Sequence, residues 1–267
     1  EEMQIGDTRP RRGLWNQVGT WSLYKREVHR FFKIAGQTFV APVVTALLFL
    51  AIFSLAFSGE GRSIGDVPFV RFLVPGLTLM AMITASFANA SFSLMFEKVV
   101  ETIVDTLMPP LTPVEITAGY VLSSTTRGFL VGLMVIFGMA IFTDIEIHSL
   151  FFILFHAIAA SMLMALFGLI VAIWAEKIDH VASVNNFVIL PFTFLSGTFY
   201  STENLPVFFQ KIAHFNPFFY LIDGFRYGFL GLHDGSLTTG LVLLTSMIVL
   251  CWAACIKLFS SGYKLKS

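Results

Sequence analysis

Carboxylates and guanidinium groups are scarce in this chain, and their spacing sorts them into three groups. In FEKVVETIVDTLMPP, residues 96–110, Glu97, Glu101 and Asp105 recur every fourth residue. On a helix that spacing makes one acidic face, with Val100, Ile103, Val104 and Leu107 forming an apolar one. Pro109 and Pro110 stop the helix, so the segment reads either as an interaction surface in a loop or as a solvated helix without a partner. In NPFFYLIDGFRYGFLG, residues 216–231, Asn216 and Pro217 interrupt an apolar run. Asp223 and Arg226 stand at i and i+3, where they can pair into a neutral unit tolerable in a membrane-buried place. Arg127 stands alone in a third apolar run. An ionisable residue at mid-bilayer costs about 3 kcal/mol on insertion scales, so Arg127 is expected to face protein, face water or snorkel.

Other chemistries are missing. No G-x-x-x-x-G-K-[ST] phosphate loop occurs, which excludes ATP hydrolysis by that route. His29, His148, His156, His180, His214 and His233 are scattered without metal-ligand spacing. Cys251 and Cys255 are one helical turn apart, about 5 to 6 Å at Cβ, too far for a disulfide. No nucleophile with an adjacent base stands out for an intramembrane enzyme.

The elements that hold these residues are set by composition. Of 267 residues 56% are hydrophobic and 13% charged, with a mean hydropathy of +0.78, where a soluble domain is about 25% charged. Six apolar runs are long enough to cross a bilayer core of about 30 Å: approximately 38–57, 72–96, 120–142, 150–174, 181–200 and 237–259. The run opened by Phe215 is broken by Pro217, Asp223, Gly224, Arg226, Gly228 and Gly231. It is expected as a re-entrant helical hairpin, about 205–232. Twelve Lys and Arg fall on one side of the six spans (Arg9, Arg11, Arg12, Lys25, Arg26, Arg30, Lys33, Lys98, Lys177, Lys257, Lys264, Lys266) and four on the other (Arg62, Arg71, Lys211, Arg226). The asymmetry places both termini in the cytoplasm and the hairpin outside. Between Leu14 and Lys33, Trp21, Tyr24, Val28, Phe31 and Phe32 recur at helical spacing opposite Arg26, Arg30 and Lys33, the pattern of a basic amphipathic helix lying in the interface. Equal numbers of acidic and basic residues give no field that recruits nucleic acid.

The basic entry helix, six spans, the acidic helix ending in prolines before EITAGY, and the Asn-Pro…Asp-Gly…Arg-Tyr run resemble the permease subunits of ABC-2 type exporters. KREVHRFFKIAGQTFVAPVVT, VPGLTLM and GFRYGFLG are most similar to the YadH-like bacterial permeases. The resemblance covers nearly the whole chain after about Trp21. It implies a half-transporter: two copies of this chain with two copies of a separate ABC ATPase subunit, which binds ATP and Mg while this chain binds no cofactor and catalyses nothing. It implies that the helix at about 97–108 is a coupling helix for the ATPase, with Glu97, Glu101 and Asp105 as candidate contacts. Where relatives commonly have T-L-E, this chain has Thr102-Ile103-Val104 with Asp105 one place later, so no single coupling glutamate is carried over. It also implies that the hairpin bearing Asn216, Pro217, Asp223 and Arg226 caps the exit of the path.

The sequence is thus expected to form an all-α integral membrane protein with residues 1–36 cytoplasmic and amphipathic and 37–267 transmembrane. The expected function is ATP-driven export of an amphiphilic, lipid-like or drug-like substrate across the bacterial inner membrane by alternating access, in contact with membrane lipid. Asn89, Asn185, Asn186 and Phe194 are candidate path-lining residues. The alternative is a secondary transporter or channel without an ATPase, which would need intramembrane acids or a charged pore ring where the spans offer essentially Arg127 alone.

Overall fold

A computed structural model describes residues 15–57, 63–64, 67–201 and 206–264. Arg9, Arg11, Arg12, Arg62 and Lys266 of the charge asymmetry, Leu14 of the entry helix and Leu205 of the hairpin lie outside the described residues. Nearly everything described is helical.

Helix α1, Gln17–Lys33, is started by the Asn16 side chain, which accepts from the Gly19 amide at 3.0 Å. Arg30 and Lys33 in its last turn suit the negative end of the helix dipole. It buries Thr20, Leu23, Glu27 and Phe31 against the bundle and leaves Val18, Trp21 and Phe32 exposed. The aromatic stripe seen in the sequence therefore splits: Phe31 enters the core, whereas Trp21 and Phe32 stay outside.

A π-helical turn, Gly36–Val40, leads into α2, Ala41–Phe57. A two-residue antiparallel pair, β1 Ser63–Ile64 with β2 Val67–Pro68, connects to α3, Phe69–Val99. The short α4, Ile103–Leu107, precedes α5, Pro113–Ala140, and α6, Leu150–Trp174. Helix α5 opens with a capping box: Thr112 Oγ1 accepts from the Glu115 amide, and Glu115 Oε2 accepts from the Thr112 amide at 2.6 Å. Next come α7 Ile178–Val184, a π-helical turn Asn185–Ile189, and α8 Leu190–Phe194. Helices α9 Val207–Phe215, α10 Pro217–Leu230 and α11 Leu237–Ser261 complete the chain.

The packing is layered. Of the apolar windows of α3 and α6, 72% is buried, against 11% for α2 and α11, so α3 and α6 form the centre and α2 and α11 the flanks. Small residues permit this contact: a Cβ on Gly168 of α6 would sit 2.8 Å from the Phe87 carbonyl oxygen of α3. Lipid supplies no hydrophobic drive between helices, so such close backbone approach provides the van der Waals contact that holds them.

Among the described residues five helices are long and apolar enough to cross a membrane: Gly36–Ala56, Phe69–Val99, Pro113–Ala140, Leu150–Trp174 and Leu237–Ser261. The fifth run, expected at 181–200, is helical only from Ile178 to Phe194. At 1.5 Å per residue that is about 26 Å, short of a bilayer core of about 30 Å. The chain leaves the helix through a turn at Leu195–Gly197, where Gly197 adopts φ +80°. That left-handed conformation ends helices and is cheap only for glycine.

Candidate functional site

Two polar clusters lie at opposite ends of the bundle. The first joins α1, α3, α4 and α5. Glu97, on the last turn of α3, accepts from Arg26 Nη2 at 2.5 Å through Oε1, and from Tyr120 Oη at 2.7 Å and Thr106 Oγ1 at 2.8 Å through Oε2. Arg26 Nη1 also donates to Thr106 Oγ1 at 3.0 Å. Burial by itself would lower the Arg26 pKa, but Tyr120, Glu97 and Glu27 together raise it above the ordinary arginine value and keep it charged. Beside this node the buried Glu27 pairs with Arg30 at 2.9 Å and Arg26 at 3.2 Å, and accepts from Ser93 Oγ at 2.6 Å.

The acidic row expected at 97, 101 and 105 is not one face. Glu101 has φ +62°, which breaks the helix between α3 and α4 and rotates α4 out of register with α3. Glu97 turns inward because Arg26 of α1 reaches it, while Glu101 and Asp105 are exposed. The five-residue α4 points Ile103 and Thr106 into the protein and Val104, Asp105 and Met108 out. Between the basic side of α1 (Arg26, His29, Arg30, Lys33) and Thr102 and Asp105 lies a cleft of about 360 Å³.

Other contacts brace the same end. Lys98 Nζ donates to the carbonyls of Ala172, Ile173 and Ala175 at 3.0, 3.0 and 2.6 Å, neutralising the end of α6. Glu115 accepts from the Asn16 amide at 2.5 Å and so fastens the start of α1 to the start of α5. Glu176 and Lys264 pair in the open at 2.6 Å.

The second cluster surrounds α10. Asn216 caps that helix by accepting from the Phe218 amide at 3.0 Å. Its Nδ2 donates to the Phe192 carbonyl and to Ser196 Oγ, both at 2.8 Å. Arg226 is 3% exposed, donates from Nη2 to the Gly197 carbonyl at 2.6 Å, and lies 3.9 Å from the Phe72 ring centroid. Asp223 accepts from the amides of Asp234 at 2.7 Å and Gly235 at 3.0 Å, ahead of α11. The expected Asp223–Arg226 ion pair does not form, because each side chain has backbone partners to satisfy. Asn216 and Arg226 close the carbonyls at the end of the interrupted fifth run, and Asp223 holds the entry to the last one. Helices α9 and α10 form a helix–turn–helix hinged at Asn216–Pro217.

Arg127 finds its partner in Asn89, donating from Nη1 to Oδ1 at 3.2 Å. Asn89, 1% exposed, also donates to Ser124 Oγ at 2.9 Å and so sits inside the chain, apart from the other candidate path residues. Asn185 and Asn186 bond to each other at 3.2 Å on the π-helical turn, and Phe194 is at the surface on α8. Sequence pattern alone did not single out Glu27 and Tyr120. A lone Glu between two arginines on the buried side of an amphipathic helix was the available signal for the first; nothing local marks the second.

Comparison with known proteins bears on most of the chain. The sequence pattern of a family described as "ABC-2 type transporter" matches residues 18–230. The chain is 37% identical over 253 residues to a protein of Escherichia coli K12 named "Inner membrane transport permease YadH", covering 94% of this chain and 98% of that one. It is 27% identical over 244 residues to "Nodulation protein J" of Neorhizobium galegae, covering 86% and 90% of the two chains.

Proposed function

Because the chain belongs to the ABC-2 type transporter family, we propose that it is the membrane half of an ATP-driven exporter whose α4 receives the stroke of a separate ABC ATPase. One observation carries the reading: Thr106 of α4 is bonded to Glu97 of α3 and Arg26 of α1, and Glu97 in turn to Tyr120 of α5. A push on the exposed face of α4, at Val104 and Asp105, or on Glu101 in the turn before it, has a hydrogen-bonded route into three helices. The ATPase binds ATP and Mg; this chain transmits. ATP shifts the transporter between states only by binding one of them more tightly, here the closed ATPase dimer.

Two copies of this chain with two ATPases form the transporter in the inner membrane, with α1 in the cytoplasmic interface and both termini inside. Exposed Trp21 and Phe32 on α1 and the exposed apolar flank of α2 suit lipid contact. An amphiphilic substrate passes between the copies along α7–α8, where Asn185 and Asn186 adjoin the exposed Phe187, Val188 and Phe194. It leaves past the α9–α10 hairpin. The test is ATPase activity of the cognate ATPase in lipid nanodiscs with the permease, its Glu101→Ala/Asp105→Ala variant, and no permease. Stimulation by the native chain, and its loss in a folded variant that still copurifies, is the expected result; equal stimulation by both sinks the assignment of α4.

A further inference from the structure

We propose that Arg127 and the cavity beside it bind the phosphate of an anionic phospholipid whose acyl chains lie between α2 and α3. Among the described residues Arg127 forms no ion pair, and its Nε is buried with no hydrogen-bond partner. Its one bond is to a neutral amide, and Arg30 Nη2 reaches toward that same Asn89 Oδ1 at 3.4 Å. The two acids nearby are already taken, Glu27 by Arg26 and Arg30 and Glu97 by Arg26. One half-buried positive charge is thus left without a counter-ion among the described residues, and an anion beside it would balance that charge. A guanidinium meets a phosphate through paired donors better than any other side chain.

The space beside it has the matching shape. A cavity of about 380 Å³ runs from Arg127 between the α1–α2 junction and α3, a volume in the range of small-molecule sites. Gln37, Thr45 and Thr84 add polar groups to it, and Leu77, Met80 and Ala46 line the rest, so one site offers surfaces for a headgroup and for hydrocarbon. Depth agrees as well. Tyr24 Oη of α1 touches Thr126 Oγ1 at 3.1 Å, and Arg30 near the end of α1 reaches Asn89. Arg127 therefore stands level with α1, which in the proposed orientation lies among the headgroups and not at mid-membrane.

The test uses the purified permease without ATPase, so that its outcome is independent of coupling. Retention of palmitoyl-oleoyl phosphatidylglycerol against phosphatidylethanolamine is measured by native mass spectrometry. The native chain should prefer the anionic lipid. Arg127→Gln should weaken its retention about fivefold or more, Arg127→Lys should restore most of it, and Lys257→Gln, an equal loss of charge on exposed α11, should leave it unchanged. Thr84→Phe keeps every charge and fills the cavity, so it should also weaken retention, and it decides the matter alone if Arg127→Gln does not fold. Undiminished retention by Thr84→Phe, or displacement of the lipid by inorganic phosphate at equal concentration, overturns the proposal; the second result would mark a soluble-anion site. Quenching of Trp21 by brominated lipid checks the depth of α1 separately.

Discussion

Consider replacing Tyr120 by Phe. Its ring is fully buried and its hydroxyl donates at 2.7 Å to the Glu97 carboxylate. A hydrogen bond to a charged group is worth about 1.5–3 kcal/mol, and little water reaches this one to weaken it. The Arg26 side chain, by contrast, is 44% exposed, so its attraction to Glu97 is screened and makes a poorer probe. In the Glu97→Ala background the same Tyr120→Phe change removes a hydroxyl that has already lost its carboxylate. There it should cost only a few tenths of a kcal/mol, since the hydroxyl keeps just the long bond it accepts from Arg26 Nη2 at 3.3 Å. The double-mutant cycle should therefore give a coupling of about 2 kcal/mol, roughly a thirtyfold effect on the unfolding equilibrium. Reversible unfolding in bicelles, read by steric trapping of labelled positions, measures it. A coupling below about 0.5 kcal/mol would refute the claim that the Glu97 node ties α5 to α3, and with it the route from α4 into the bundle.

Three other perturbations probe the rest of the chain. Asn216→Ala strips two donor bonds and a helix cap, and should lower the unfolding free energy by about 2 kcal/mol, while Asn216→Asp, which keeps the cap and loses the donors, should recover less than half. Gly224→Ala places a methyl against His156 Nε2, well inside van der Waals contact, which should drive α10 from α6 and expose the hairpin to protease; protection equal to the native chain would show that the contact yields cheaply. At the other end, the Glu176 pKa is lowered by the hydrogen bond and then the charge of Lys264, and the Lys264 pKa is raised chiefly by the same bond. The Glu176 contribution holds above the usual carboxylate pKa and fades as pH falls below it, and that of Lys264 holds below the usual lysine pKa and fades as pH rises past it. Across the neutral range the pair should hold, so Glu176→Gln should speed tryptic cleavage after Lys264 to a similar degree at pH 7 and pH 8.5.

Local pattern made the class of the protein readable. Apolar runs of span length located α2, α3, α5, α6 and α11, and the breakers at Asn216–Pro217 located the joint between α9 and α10. What failed was long-range. The four-residue spacing of Glu97, Glu101 and Asp105 is real, but one left-handed residue at Glu101 separates them, and no periodicity reveals a backbone reversal at a non-glycine position. Asp223 and Arg226 have the right separation to pair on a helix, yet partners twelve and twenty-nine residues away claim them. Arg127 and Asn89 are 38 positions apart; only folding brings them together. The 181–200 run counted as a span because hydropathy does not see that its last third is a turn.

The interrupted fifth run has a consequence for how the chain is made. The segment Ile178–Phe194 is about 26 Å long, and the Phe192 carbonyl near its end and the Gly197 carbonyl in the turn after it take their donors from Asn216 and Arg226. At a synthesis rate of about 5–20 residues per second, the chain needs some seconds to supply them. On the proposed membrane reading, this segment is until then a marginal insertion substrate with an open end, and the arrival of α10 should be what fixes its place.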